Sequence, residues 1–177
     1  MTEEILLHTC CAPCASSCVE RLLTEKRKVS LYFSNSNICS EEEFEKRLHE
    51  VRKLAELHDL ELIVDPYDHD RWLQWLKNQL PDFAEYPEKG ARCRFCFTYS
   101  LRQTAEEAAK RKIPFCTSLT VSPHKNSKLL FEIGTELGNF ECYDFKKKDG
   151  FKRSMTLARQ YGFYCQNFCG CEFSIRS

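Results

Sequence analysis

Hydrophobic positions along this chain switch between two periods. Ile5-Leu6-Leu7 is a short apolar run, Val29 to Phe33 and Leu60 to Val64 are further strand-like runs, and Phe115 to Leu119 is a fourth. Between these runs the spacing turns helical. A helix from Ala15 to Thr24 follows Pro13, which a first helical turn accepts because the missing N–H would be unpaired there anyway. Ser40 and Glu43 form a capping-box pair, after which Phe44, Leu48, Val51, Leu54 and Leu57 recur at helical spacing. Arg71 to Leu80 is a helix stopped by Pro81, and Ser100 to Lys112 puts Leu101, Ala105 and Ala108 on one face. Ser127 to Leu137 is closed by Gly138-Asn139. Phe140 to Phe145 reads as a last strand, and Ser154 as the cap of a short helix to Tyr161.

This alternation predicts an α/β fold: a single domain over residues 1–177, with a mainly parallel sheet flanked by helices. Ligands of such sheets collect at the carboxyl ends of the strands, near the switch in strand order. Cys10 and Cys11 directly follow the first strand, and the loop Asn35-Ser36-Asn37 follows the second, so both are predicted at that edge.

Composition narrows the class. The 12 cysteines among 177 residues, about 7%, fall short of the ~8–10% typical of secreted disulfide scaffolds. Met1-Thr2-Glu3-Glu4 is acidic and Ile5-Leu6-Leu7 too brief for a secretory signal, and no run approaches the ~18–20 apolar residues of a membrane span. The expectation is a soluble, cytoplasmic protein with no membrane partner, in which thiols stay reduced and paired cysteines bind metal or do redox work. Net charge is zero but uneven: residues 1–90 carry 11 basic and 18 acidic side chains, residues 91–177 carry 15 and 8. The second half thus permits a nucleic-acid face, densest at Lys146-Lys147-Lys148, Lys152 and Arg153.

Seven cysteines fall in three clusters: His8-Thr9-Cys10-Cys11-Ala12-Pro13-Cys14, Arg92-Cys93-Arg94-Phe95-Cys96 and Cys169-Gly170-Cys171. Cys10, Cys11, Cys93 and Cys96 supply four thiolates, enough for a 4Fe-4S cluster or a structural zinc, and the adjacent Cys10-Cys11 pair suits the wider cluster better. Cys11 and Cys14 also form a C-x-x-C after a strand, as in thioredoxin-like redox turns. In Cys169-Gly170-Cys171 the glycine lets both sulfurs point one way. That pair can join Cys14 on a second metal, or cycle between dithiol and disulfide. Cys18, Cys39, Cys116 and Cys142 read as small buried hydrophobes, and Trp72 and Trp75, three apart, as packing residues of their helix.

Taken in order, the first cysteine cluster, Asn35-Ser36-Asn37-Ile38, Pro87-Glu88-Lys89-Gly90-Ala91-Arg92-Cys93-Arg94-Phe95-Cys96, Leu119-Thr120-Val121-Ser122-Pro123-His124-Lys125 and Tyr164-Cys165-Gln166-Asn167-Phe168-Cys169-Gly170-Cys171 carry a family resemblance. The chain closely resembles the cobalamin-independent epoxyqueuosine reductases of the queuosine tRNA pathway, nearly end to end. Ser36 stands where that family usually has proline, and Cys165 and Phe168 where it has arginine and tyrosine. The fold class to expect is a Rossmann-like (HUP-like) sheet with the metal site at the carboxyl ends of its strands.

The resemblance implies a 4Fe-4S cluster on Cys10, Cys11, Cys93 and Cys96, with Cys169 and Cys171 beside it. Those two act either as a redox pair or, with Cys14, as ligands of an adjacent mononuclear metal. The implied reaction removes the epoxide oxygen of epoxyqueuosine at the tRNA wobble position, giving queuosine and water. No G-x-G-x-x-G fingerprint is present, so electrons are expected from a separate donor protein. Arg92, Lys146, Lys147, Lys148, Lys152 and Arg153 are the candidate RNA contacts. A zinc-stapled RNA-binding module and a metal-free thiol–disulfide enzyme using Cys11 and Cys14 remain the rival readings of the same cysteines.

Overall fold

The computed structural model describes residues 3–175. Strands β1 (Glu4–His8), β2 (Lys28–Phe33), β3 (Glu61–Val64) and β4 (Phe115–Thr117) form one sheet in the order β3-β2-β1-β4. Every pairing is parallel, with Leu6 opposite Phe115 on one side of β1 and Ile5 opposite Val29 on the other. The helices are α1 (Ala12–Thr24), α2 (Glu41–Leu57), α3 (His69–Gln79), α4 (Ala91–Arg111), α5 (Ser127–Leu137) and α6 (Gly150–Tyr161).

The central strand reads as an unbroken apolar run because both of its faces are covered. Ile5, Leu7, Val29, Leu31 and Phe33 pack with Val19, Leu48 and Ala158 of α1, α2 and α6. Leu6, Tyr32 and Phe115 point the other way, against Ala105 and Ala108 of α4 and Leu137 of α5. Ile5, Leu6 and Leu7 are each fully buried, and each contributes roughly 1.5–3 kcal/mol of transfer free energy. The Leu6 face and the Ile5–Leu7 face therefore fix the register, since a one-residue slip would exchange them.

The path of the chain sets the functional edge. α1 and α2 carry it from β1 outward to β2 and β3 along one face. α3 and α4 then bring it back over the other face to β4, which lies on the far side of β1. The connections reverse direction between β1 and β4, so the crevice belongs at the carboxyl ends of those two strands.

Several local expectations change. Phe140–Phe145 is not a strand: Phe140 makes one isolated bridge to Phe115, and the chain then turns, with Asp144 Oδ1 accepting from the Lys146 N–H at 3.2 Å. α4 begins at Ala91 behind the N-cap Gly90, not at Ser100. Its first turns lack an amphipathic stripe because α3 and the C-terminal segment both pack on them, Phe95, Cys96 and Tyr99 joining Trp72, Trp75 and Phe173. α6 begins at Gly150, and Ser154 sits buried inside it, 2.5 Å from Ser17 of α1. Ser40 occupies the N-cap of α2 without a side-chain cap bond, and Glu43 pairs instead with Arg47 at 2.8 Å. Cys18 and Cys116 are buried as predicted, whereas Cys39 is half-buried and Cys142 exposed. No helix among the described residues is long and apolar enough to cross a membrane.

Candidate metal centre

Past β1 one backbone and one side-chain hydrogen bond hold the chain open. The Thr9 N–H donates to Tyr32 O at 2.8 Å, and Asn35 Nδ2 donates to Thr9 O at 3.0 Å. Cys11 then caps α1 with Pro13 in the first turn. This turn brings the sulfurs of Cys10, Cys11 and Cys14 within 4.8 Å of one another. Ser118, just past β4, reaches across the crevice: its Oγ accepts the Cys10 N–H at 3.2 Å and donates to the Cys10 sulfur at 3.4 Å. Hydrogen bonds from Cys10 and Cys14 hold the Cys11 thiol well below its usual range, aided by Gln166 and by the partial positive charge of the helix N-terminus. The hydrogen bond to Cys11 pushes Cys10 up, and those to Cys10 and then Cys11 push Cys14 up. His8 is a structural histidine, with Nδ1 2.9 Å from Thr117 Oγ1 and Nε2 3.4 Å from Ser34 O.

Cys93 and Cys96 lie within the start of α4, one turn apart on one face, and not ahead of the helix. The Lys89 N–H donates to the Cys93 sulfur at 3.3 Å. Burial pushes both thiols up. The Trp72 indole N–H, fully buried, has no nitrogen or oxygen acceptor and favours the charged form of Cys96. Trp75 packs on Tyr99, so both tryptophans are packing residues. Arg92 is corrected as an RNA contact. It is 2% exposed, its Nη1 donates to the carbonyls of Phe83 and Tyr86, and its guanidinium lies 4.7 Å over the Phe173 ring. It locks α4 to the segment before it and to the C-terminal turn.

Arg47 anchors the third cluster, a role hidden in the sequence because Glu43 and Arg47 look like an exposed i,i+4 pair. Its side chain is 2% exposed. Nη1 donates to Cys169 O at 2.7 Å and Nη2 to Phe168 O at 3.2 Å. Gly170 has φ +149, and a Cβ there would meet Ile38, Asn37 and Arg47 at 3.1–3.3 Å, which is why the turn takes glycine. The Cys39 N–H closes the turn on Gly170 O at 2.9 Å.

Two adjoining cavities result. The larger, about 310 Å3, is lined by Cys10, Cys14, Cys96 and Cys169 together with Lys125 and Gln166. The smaller, about 20 Å3, is lined by Cys93, Cys96, Cys169 and Cys171. Sulfurs from the beginning, middle and end of the chain thus share one crevice. Cys14 sits with Cys10 and Cys11, while Cys171 sits with Cys93 and Cys96, and Cys169 borders both spaces. Lys125 was not singled out from sequence, yet it lies in the cavity wall. Burial opposes its charge, but the nearby sulfurs, Cys169 and Cys10 first among them, outweigh that and raise its pKa.

The basic stretch is free of internal pairing only in part. Lys147, Lys148 and Lys152 are exposed. Lys146 is spent internally, its Nζ donating to Lys125 O at 2.7 Å and to Ser127 Oγ at 2.6 Å, and Arg153 pairs with Glu20 at 2.8 Å. Phe151, 38% exposed, borders the larger cavity.

Thiols from three separated stretches, collected at the switch point of a parallel α/β sheet, form a candidate metal or redox centre, with Cys10, Cys11 and Cys14 placed so that they could hold a metal. Comparison with known proteins gives this class its family. The family model described as epoxyqueuosine reductase QueH matches residues 5–177. The chain is 33% identical over 181 residues to epoxyqueuosine reductase QueH of Streptococcus pyogenes, covering 98% of this chain and 71% of that protein. The protein of the same name from Acinetobacter baylyi is 32% identical over 98% of this chain and 81% of its own. That from Thermotoga maritima is 31% identical over 97% and 90%. The chain belongs to the epoxyqueuosine reductase QueH family.

Proposed function

We propose that this protein, acting as one domain over residues 1–177 in the cytoplasm, reduces epoxyqueuosine to queuosine in tRNA. The observation that carries the reading is the crevice shared by Cys10, Cys14, Cys93, Cys96, Cys169 and Cys171, with Cys11 buried beside Cys10 and Cys14, in a chain that matches this family from residue 5 onward.

Cys10, Cys11, Cys93 and Cys96 are the proposed ligands of a 4Fe-4S cluster. The donor set fits: the four thiols are soft ligands, and two buried N–H groups without a partner, Trp72 Nε1 and Arg92 Nε, belong to residues lining the smaller cavity with Cys93 and Cys96, where anionic sulfur would suit them. When bound, the cluster supplies electrons one at a time from a separate donor protein.

The chain's own residues do the remainder. Deoxygenation breaks two C–O bonds, forms one C=C bond and releases water, consuming two electrons and two protons. A dithiol at Cys169 and Cys171 holds that complement: both S–H bonds break, one S–S bond forms, and the two hydrogens leave on the oxygen. Lys125 in the wall donates a hydrogen bond to the oxygen as charge develops on it. Phe151 offers a stacking face to the unstacked base at the cavity mouth, and Lys147, Lys148 and Lys152 meet phosphates.

The test is iron and sulfide analysis of anaerobically purified protein, coupled to single turnover on tRNA carrying epoxyqueuosine. Wild type converts the nucleoside, and Cys93→Ser loses both the iron and the conversion. Turnover persisting in Cys93→Ser would remove the cluster assignment.

A further inference from the structure

A second ligand cluster lies behind the C-terminal turn, outside the cysteine crevice. The Cys39 sulfur, a ring nitrogen of His69 and a Glu172 carboxylate oxygen lie within 4.8 Å of one another. They come from three distant places: the loop after β2, the first residue of α3, and the 3₁₀ turn Glu172–Ser174.

The hydrogen bonds around His69 determine what this cluster needs. Nδ1 lies 2.8 Å from Ser36 O, and a carbonyl only accepts, so Nδ1 carries the hydrogen. A neutral ring then presents its Nε2 lone pair to Glu172, whose Oε2 is 3.1 Å away and whose Oε1 is 3.2 Å away. Two acceptors face each other, with a thiol as third neighbour. A second ring proton would satisfy the His69–Glu172 contact but give the sulfur no part. A cation ligated by all three accounts for every group.

Distances and donor types suit zinc. Bonds of ~2.0–2.1 Å to nitrogen and oxygen at a tetrahedral angle place those two atoms about 3.3 Å apart, close to the observed contact. A sulfur–nitrogen–oxygen set is within zinc's usual range and poor for magnesium or calcium. Metal-bound histidines usually donate their other N–H to a carbonyl or carboxylate, as His69 does to Ser36 O.

We propose that Cys39, His69 and Glu172 bind a zinc ion, with water completing the fourth position. The ion ties the β2 loop and α3 to the residue directly after Cys171, fastening the Cys169–Cys171 turn from behind. The inference does not rest on the epoxyqueuosine reading.

The experiment uses full-length protein equilibrated with zinc chloride and passed through a desalting column, with zinc counted by mass spectrometry and located by anomalous diffraction at the zinc edge. Expected is an anomalous peak bonded to Cys39, His69 and Glu172 in wild type and in Cys93→Ser, and one zinc fewer per chain in Cys39→Ala than in wild type, whatever zinc the crevice cysteines take up. Cys39→Ala and His69→Gln should weaken binding more than about 100-fold, beyond the ~10–100-fold effect of outer-shell partners, with far-ultraviolet dichroism unchanged. The diffraction arm needs no variant, so a poorly folded mutant leaves the proposal open to refutation. A wild-type crystal with no peak at these residues, or zinc lost in Cys93→Ser but kept in Cys39→Ala, would overturn it.

Discussion

Replacing Arg47 with leucine removes the clamp on the C-terminal turn while keeping an apolar body of similar reach on α2. In the wild type the buried guanidinium serves Glu43 Oε1 at 2.8 Å and the carbonyls of Cys169 and Phe168 at 2.7 and 3.2 Å. Hydrogen bonds to a charged donor contribute roughly 1.5–3 kcal/mol each, and breaking one partner of a buried ion pair costs about 3–5 kcal/mol. These overlap, because Tyr164 still donates to Glu43 at 3.0 Å and both carbonyls regain water once the turn lifts away. A loss near 3 kcal/mol in the docking of residues 164–175 is therefore expected, a roughly 100-fold rise in opening at 1.4 kcal/mol per tenfold. Hydrogen exchange read by mass spectrometry on peptides covering that stretch measures it directly. Exchange in β1 and β2 should stay slow, since their packing does not touch Arg47. Arg47→Lys should fall between the two, because an ammonium cannot serve both carbonyls as a planar fork does. Wild-type protection of residues 164–175 in Arg47→Leu would refute the clamp.

The other predictions concern the crevice, its mouth and the sheet edge. Lys125→Met should slow single-turnover conversion by about 100-fold, the scale of a lost oxyanion donor, and an unchanged rate would strip Lys125 of its role. Phe151→Ala should weaken tRNA binding by roughly 1–3 kcal/mol in a filter-binding assay without lowering the melting temperature, and undiminished affinity would rule out stacking there. Trp72→Phe should retain iron but move the cluster's midpoint potential downward, since a lost N–H donor to sulfur destabilises the more negative reduced state, and an unmoved potential would show that the indole does not serve the cluster. Arg111→Ala should cost under about 1 kcal/mol at neutral pH, because Glu61, 52% exposed, is largely screened. Arg111 depresses the Glu61 carboxyl, so this contribution is present above the unfolded pKa of ~4.3 and vanishes as pH falls through the lower folded value. Urea melts of wild type and variant should therefore converge in acid.

The sheet was legible because apolar runs such as Ile5-Leu6-Leu7 and Val29–Phe33 carry strand chemistry whatever surrounds them. The start of α4 was hidden, since Arg92, Phe95, Cys96 and Tyr99 are enclosed from several sides and so show no helical stripe. Phe140–Phe145 has strand composition, yet only Phe140 reaches a partner beside β4. Spacing revealed the three cysteine clusters, whose members are close in sequence. It could not reveal Arg47, Lys125 or the group of Cys39, His69 and Glu172, because each acquires its meaning from a residue far away along the chain. Arg92 shows the same limit in reverse: a basic side chain beside a cysteine reads as a phosphate contact until its burial is known.

The way the last turn is moored has a bearing on how the enzyme cycles. Its ropes run through oxygen and nitrogen: two carbonyls on Arg47, and Gly170 O on the Cys39 amide. None of these ties involves the sulfur atoms of Cys169 or Cys171, so the dithiol–disulfide step proposed for that pair would break none of them.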